Sequence, residues 1–136
     1  MLDDLTWPDP RELAFALLDG LDTATGALTP RYEQAADAYG QAIGPWPEAV
    51  IYITGSTEGA IDRVYVVSLD VYAPRGPEAL RTAEQAHRAL VGTDVEAGGV
   101  YADAVRTRTG PVEVPHPDPT ITRITSSLDV VVRPID

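Results

Sequence analysis

Two histidines are the first residues to consider for catalysis in this sequence. His87 falls on the apolar side of a predicted helix, where a hydrogen-bonded packing role is far more common than a catalytic one. His116 is followed after one proline by Asp118, so the pair could act as a base and its orienting carboxylate. Since no Ser or Cys nucleophile motif accompanies them, we expect His116 to be a histidine of a surface loop.

Metal and cofactor chemistry has no support in the sequence. The chain contains no cysteine, which excludes a thiol nucleophile, disulfides and a zinc ribbon. Its carboxylates form neither an HExxH motif nor an Asp-rich calcium loop. The segment Gly55–Gly59 lacks the lysine that a phosphate-binding loop needs. We therefore predict no catalytic residue, no cofactor and no metal, and a protein that is not an enzyme.

Charge narrows the possible partners. The 136 residues carry 21 acidic side chains against 10 basic ones, a net charge of −11, so no basic surface is available for binding nucleic acid through its phosphates. The first 60 residues are the more acidic part, which is either a solvated face or a surface that repels polyanions. No stretch approaches 18 apolar residues, so we expect no membrane span, and the start of the chain lacks the basic region of a secretory signal.

Three helices are predicted. The first begins after Asp9, an N-cap candidate that is followed by proline. A second is predicted over Pro30–Ile43 from a stripe of alanine and tyrosine. The third, Pro77–Val91, has the clearest apolar side; we place Leu80 on it and expect Leu80→Asp to unfold the domain.

The strands define the predicted fold. Four segments have the required composition, namely Ala49–Thr54, Asp62–Ala73, Val100–Thr109 and Ile121–Arg133. We predict an α+β fold with a mainly antiparallel four-stranded sheet, in which the second and fourth segments are central and the helices pack on one face. The prediction is a single domain, 1–136, with a helical part (1–46) and a sheet-plus-helix part (47–136). Four prolines make residues 110–119 a stiff loop.

Three features together resemble one protein family. The first is the strand end Leu69-Asp70-Val71-Tyr72-Ala73, which is followed at once by an alanine-rich helix. The second is Val105–Pro111 leading into the proline loop Val114-Pro115-His116-Pro117-Asp118-Pro119, and the third is the closing strand over 121–133. Over about residues 48–136 this order resembles the tail terminator proteins of long-tailed phages, especially those that infect actinobacteria.

The resemblance implies a function without catalysis. It implies a homohexameric ring at the head-proximal end of the phage tail tube, which ends tail polymerisation and joins the tail to the head connector. The implied partners are other copies of the chain, the major tail tube protein and a head-completion protein, while DNA passes through without specific binding. The implied location is the virion, after assembly in the host cytoplasm. Two alternatives stay open: another neck component, and a small host-type binding domain or enzyme.

The proline loop is the predicted contact between subunits. A stiff, extended segment that carries valines loses little entropy when it lies against a neighbour, and a repeated heterologous contact closes into a ring. We therefore predict contacts through Val112, Val114, Pro115, His116 and Pro117, together with Trp46, a possible interface anchor. The alternative is a rigid surface loop without a partner.

Overall fold

Strands dominate the chain in a computed structural model, which describes residues 6–34, 36, 38, 43–59 and 61–135. Strands make up 52% of the structure, and two helices accompany them. In chain order the elements are α1 (Pro10–Leu18), β1 (Asp22–Thr23), β2 (Gly26–Ala27), β3 (Thr29–Arg31), β4 (Glu48–Glu58), β5 (Arg63–Pro74), α2 (Ala79–Leu90), β6 (Gly92–Ala97), β7 (Val100–Val114) and β8 (Ile121–Val132).

One mixed sheet contains six of these strands, in the order β3-β4-β5-β8-β7-β6. The β3 strand pairs parallel with β4, and all other neighbours in the sheet are antiparallel. The central pair is β5 and β8, which match over their full lengths from Arg63 opposite Val132 to Pro74 opposite Ile121. The β1 and β2 strands form a separate two-stranded hairpin.

Alternation along the central strands gives the sheet two different faces. On β5, Val67, Leu69 and Val71 are buried in the hydrophobic core together with the apolar sides of α1 and α2. We call this side of the sheet the core face. The intervening residues Ser68, Asp70 and Tyr72 point to the opposite side, which we call the polar face.

The predicted fold class is wrong. The sheet has six strands rather than four, it is mixed because β3 pairs parallel with β4, and the chain is mostly β with two helices rather than α+β with three. The two segments expected to be the long central strands do form β5 and β8, which pair with each other. The error lies in the short strands on both sides of this pair.

The predicted second helix is the first source of that error. Thr29–Arg31 is the parallel edge strand β3 instead of a helix start, and the Thr29 amide donates to the Pro47 carbonyl over 3.1 Å. Proline suits an edge strand because its missing N–H is not needed on the open side. Of the remaining predicted helix, residues 35, 37 and 39–42 lie outside the described residues.

The other missed strand segments lie at the far end of the sheet. The β6 strand was not predicted because Asp94 and Glu96 lower its strand propensity; Asp94 has a positive φ of 51°. Part of the predicted proline loop is strand, since β7 continues to Val114 and pairs with β8 from Val112 onward. Two register shifts, between Thr107 and Val112, accommodate Gly110 and Pro111.

The buried side of α2 differs from the predicted one. Leu80 is 47% exposed, whereas Thr82 is fully buried and its hydroxyl contacts that of Thr25 at 2.7 Å. The buried positions Ala79, Thr82, Ala83, Ala86 and Leu90 follow the helical period, and Leu80 lies about 100° away from Ala79. The prediction that Leu80 packs in the core is therefore wrong.

We expect Leu80→Asp to change the free energy of unfolding by no more than about 0.5 kcal/mol, as is usual for exposed positions. Leu90, 3% exposed on the same helix, is the matched control. We expect Leu90→Asp to cost about 3–5 kcal/mol, because an unpaired carboxylate replaces a buried leucine. Urea denaturation followed by circular dichroism measures both, and equal losses of stability would contradict this description of α2.

Candidate functional site

The His116 and Asp118 pair is arranged as a turn. The Nδ1 atom of His116 accepts a hydrogen bond from the backbone N–H of Asp118 over 3.1 Å. The Asp118 carboxylate instead accepts from the Thr120 hydroxyl at 2.7 Å and the Thr120 amide at 2.9 Å, and these bonds lower the pKa of Asp118. Imidazole and carboxylate thus bind different groups, and their geometry is not that of a base with its orienting carboxylate.

Among the described residues, no three His, Asp or Glu side chains come together as a metal-binding group. No helix within the described ranges is long and apolar enough to cross a membrane.

His87 connects α2 to the sheet. Its Nδ1 atom lies 3.1 Å from the Ser126 hydroxyl on β8, and its Nε2 atom lies 2.9 Å from the Thr107 hydroxyl on β7. The side chain is buried, and burial lowers the pKa of His87 because the charged imidazolium would lose its hydration. These contacts match the packing role predicted for His87.

The polar face contains at its centre an ion pair whose carboxylate is buried and whose guanidinium is partly exposed. The Arg123 guanidinium on β8 donates from Nη2 to the Asp70 carboxylate on β5 over 2.9 Å, and the Tyr52 hydroxyl on β4 donates to the other carboxylate oxygen over 3.2 Å. Asp70 is only 5% exposed. Burial, with the Asp70 carboxylate as the second cause, raises the pKa of Tyr52. Three adjacent strands are thereby joined by one polar group.

An aromatic cluster adjoins this ion pair. Tyr72, 7% exposed, lies at the end of the polar face between Trp46, whose ring centroid is 6.4 Å away, and His116, at 5.6 Å and edge-on. Next to His116 is an open groove of about 410 Å³, lined by Arg75, Glu113, Val114, Pro115, His116, Ile121 and Thr122. Aromatic and arginine side chains together are typical of protein interfaces.

The residues predicted as subunit contacts are distributed around this cluster. Trp46 and His116 meet on Tyr72, and Val114 lies opposite Arg123 across the β7–β8 ladder. Val112 is 53% exposed two residues earlier on β7. Pro115 and Pro117 are exposed in the loop that follows, with Pro115 on the rim of the groove. Their role as contacts stays a prediction.

No local pattern in the sequence identifies Tyr52, Asp70, Tyr72 and Arg123 as a group. The alternation on β5 was visible, because polar residues recur at every second position from Ser68 to Tyr72. What could not be read from the sequence is the register that places Arg123 opposite Tyr72 and Tyr52 opposite Ser68.

Comparison with known proteins identifies no family for this chain. No protein-family model matches it, and a search of curated proteins finds no match either.

We expect His87 to make stability fall on mild acidification. Above the usual histidine pKa of about 6.5, folded and unfolded chains both hold a neutral imidazole; below it, the unfolded chain takes up a proton that the folded chain resists. This loss ends once the pH is below the lowered pKa of His87 in the folded protein.

The stability of His87→Gln relative to wild type should therefore improve between pH 7.5 and 5, as measured by urea denaturation. Leu80→Gln, an exposed change on the same helix, should differ from wild type in stability by the same amount at every pH. If the difference between His87→Gln and wild type is also independent of pH, His87 is not held in its neutral form by burial.

We expect Arg123→Leu to cost about 2 kcal/mol, because it leaves the buried Asp70 carboxylate without its guanidinium while Arg123 itself is partly exposed. Adding Asp70→Asn should recover part of that loss, since the uncompensated charge is removed. The control is Arg108→Leu, which breaks a more exposed pair with Asp129 and should cost less than about 1 kcal/mol. If urea denaturation gives the same loss in free energy of unfolding for Arg123→Leu and Arg108→Leu, the Arg123–Asp70 pair contributes no more to stability than the exposed pair.

Proposed function

We propose that this protein is a structural subunit that assembles with copies of itself into a ring at the head-proximal end of a phage tail tube. In this role it ends tail polymerisation and joins the tail to the head connector, as the resemblance to tail terminator proteins implies. Its partners are then the major tail tube protein and a head-completion protein, and its location is the virion.

The observation that carries this proposal is the convergence of Trp46, Tyr72 and His116 beside the Arg123–Asp70 pair on the polar face. Tryptophan, tyrosine and arginine contribute most of the binding energy in protein interfaces. Both helices pack on the core face; on the polar face Asp70 and Tyr72 are buried, whereas Arg123 and the alternate β8 residues beside it are partly exposed and can contact a partner. The site geometry thus supports binding of another protein surface rather than turnover of a small molecule.

Charge is compatible with a ring through which DNA passes. A net charge of −11 opposes tight binding of phosphates, so DNA inside such a ring would meet repulsion and would not be retained. Seven of the ten arginines form ion pairs with carboxylates in the described part of the chain, which leaves few guanidinium groups for a polyanion.

We expect the purified protein to form a closed oligomer with a mass near six times the 14.6 kDa of one chain, either alone or when tail tubes are added. Native mass spectrometry measures the mass, and electron microscopy of polymerising tail tubes measures their length. Tubes that carry the ring should stop growing at that end. A chain that stays monomeric under both conditions would overturn the proposal, and rings that bind only the head connector would indicate another neck component.

Val112→Asp tests the predicted contact residues, because Val112 is 53% exposed on β7 and can be changed without entering the core. Leu80→Asp is the matched control, an equally exposed apolar residue on α2. We expect Val112→Asp to weaken assembly at least tenfold and Leu80→Asp to leave it unchanged. If both variants assemble like wild type, Val112 is not part of the contact.

A further inference from the structure

The polar face differs in charge from the rest of this acidic molecule. In the described part of the sheet it carries three guanidinium groups, from Arg106, Arg108 and Arg123, and the carboxylates of Asp70 and Asp129. Glu48, at the end of this face, is fully buried and bound to Arg31. A chain of net charge −11 thus has one face on which positive and negative groups are nearly balanced.

Arg106 gives this face a free positive charge. It lies opposite Asp129 in the β7–β8 register, is exposed, and forms no ion pair with any described residue, whereas Asp129 binds Arg108. Around it, Val64, Val66 and Val131 are half-buried alternate residues of β5 and β8. The face therefore combines apolar side chains with a guanidinium that has no ion pair among the described residues, which is a composition that favours an acidic protein partner.

A surface with only negative charges lies elsewhere on the same subunit. Glu12, Asp19, Asp22 and Glu33 are exposed, and none of them forms an ion pair within the described residues. They belong to one structural unit, since Tyr32 packs on Phe15 and Arg11 of α1, and Gly20 donates to the Leu28 carbonyl just before β3. We call these four residues the acidic surface. Because α1 packs against the core face, the β1–β2 hairpin bonds to α2 through Ala24 and Thr25, and Tyr32 packs on α1, the acidic surface lies on the side of the sheet opposite to the polar face.

We propose that the polar face binds the acidic surface of a second copy of this chain, so that subunits join head to tail. The proposal rests on the proposed function, because a repeated head-to-tail contact is what closes a ring. A two-fold contact of polar face on polar face would bring Arg106 of one copy toward the guanidinium groups of its partner and would leave the acidic surfaces unneutralised. The head-to-tail contact instead places the Arg106 guanidinium against carboxylates of the acidic surface and offsets part of their charge.

Single introduced cysteines test this arrangement, since the chain has no cysteine of its own. Ser127→Cys places a thiol at the middle of the polar face, and Glu33→Cys places one on the acidic surface. Arg88→Cys, exposed on α2 and outside both surfaces, is the control. We expect assembly to slow maleimide labelling at least tenfold at positions 127 and 33 and by less than twofold at position 88.

Charge reversal provides a second measurement. Arg106→Glu should raise the dissociation constant of the assembly at least tenfold, and Arg88→Glu, which reverses another exposed arginine without an ion pair among the described residues, should change it by less than threefold. The effect of Arg106→Glu should shrink at high salt, because exposed charges are screened.

Each outcome decides the proposal. Protection at both positions supports the head-to-tail contact. Protection at position 127 alone indicates a two-fold contact and overturns it, as do assemblies in which both positions stay reactive; the proposed function survives either result only if native mass spectrometry still shows a closed ring of about six chains. A wild-type chain that forms no assembly, with or without tail tubes, overturns both the contact and the proposed function.

Discussion

The antiparallel ladder between β5 and β8 determines which side chains enter the core. Its twelve residue pairs leave no irregularity along either strand. A shift of one residue would exchange Val67, Leu69 and Val71 for Ser68, Asp70 and Tyr72 on the core face. Two polar contacts oppose such a shift from opposite sides of the sheet, because Arg123 binds Asp70 on the polar face and His87 binds Ser126 on the core face. The remaining strands add to this pair, β4 beside β5 and β7 beside β8.

The excess of negative charge destabilises the folded chain, and ion pairs offset part of this repulsion locally. With 21 carboxylates and 10 basic groups, the folded chain repels itself more than the unfolded one. The ion pairs reduce this cost mainly where they are partly buried, as with Arg31 and the fully buried Glu48. Arg63 shows another use of a guanidinium: it pairs with Glu58 and lies over the Trp7 ring at 4.3 Å. The cation thus covers apolar surface at the end of the β4–β5 hairpin.

The sequence predicts the parts of this fold that depend on local patterns. Asp9 caps α1 as expected, accepting from the Arg11 amide at 2.9 Å, and the long alternating segments become β5 and β8. The failures lie where tertiary pairing overrides propensity: Thr29–Arg31 is a strand because β4 is beside it, and acidic β6 is a strand because β7 offers it a ladder. In the candidate site, the sequence indicates Trp46 and His116 only as separate candidates for a subunit contact. Their meeting on Tyr72 depends on contacts between residues 26 and 44 positions apart, which no local pattern encodes.

The two ends of the sheet favour the proposed contact through the polar face over a contact through a sheet edge. Residues beyond Val105 on β7 pair with β8 on one side, and within the described residues no strand occupies the other. That edge contains Pro111, which has no N–H to donate, and two register shifts that interrupt the spacing a new strand would need. At the opposite end, β3 is three residues long and contains Pro30. Strand addition is therefore disfavoured along β3 and along β7 beyond Val105, whereas the polar face offers apolar area and a guanidinium without an ion pair among the described residues, and binding there disturbs no ladder. An assembly built through this face keeps each subunit's sheet intact, and its strength depends on charge and side-chain packing.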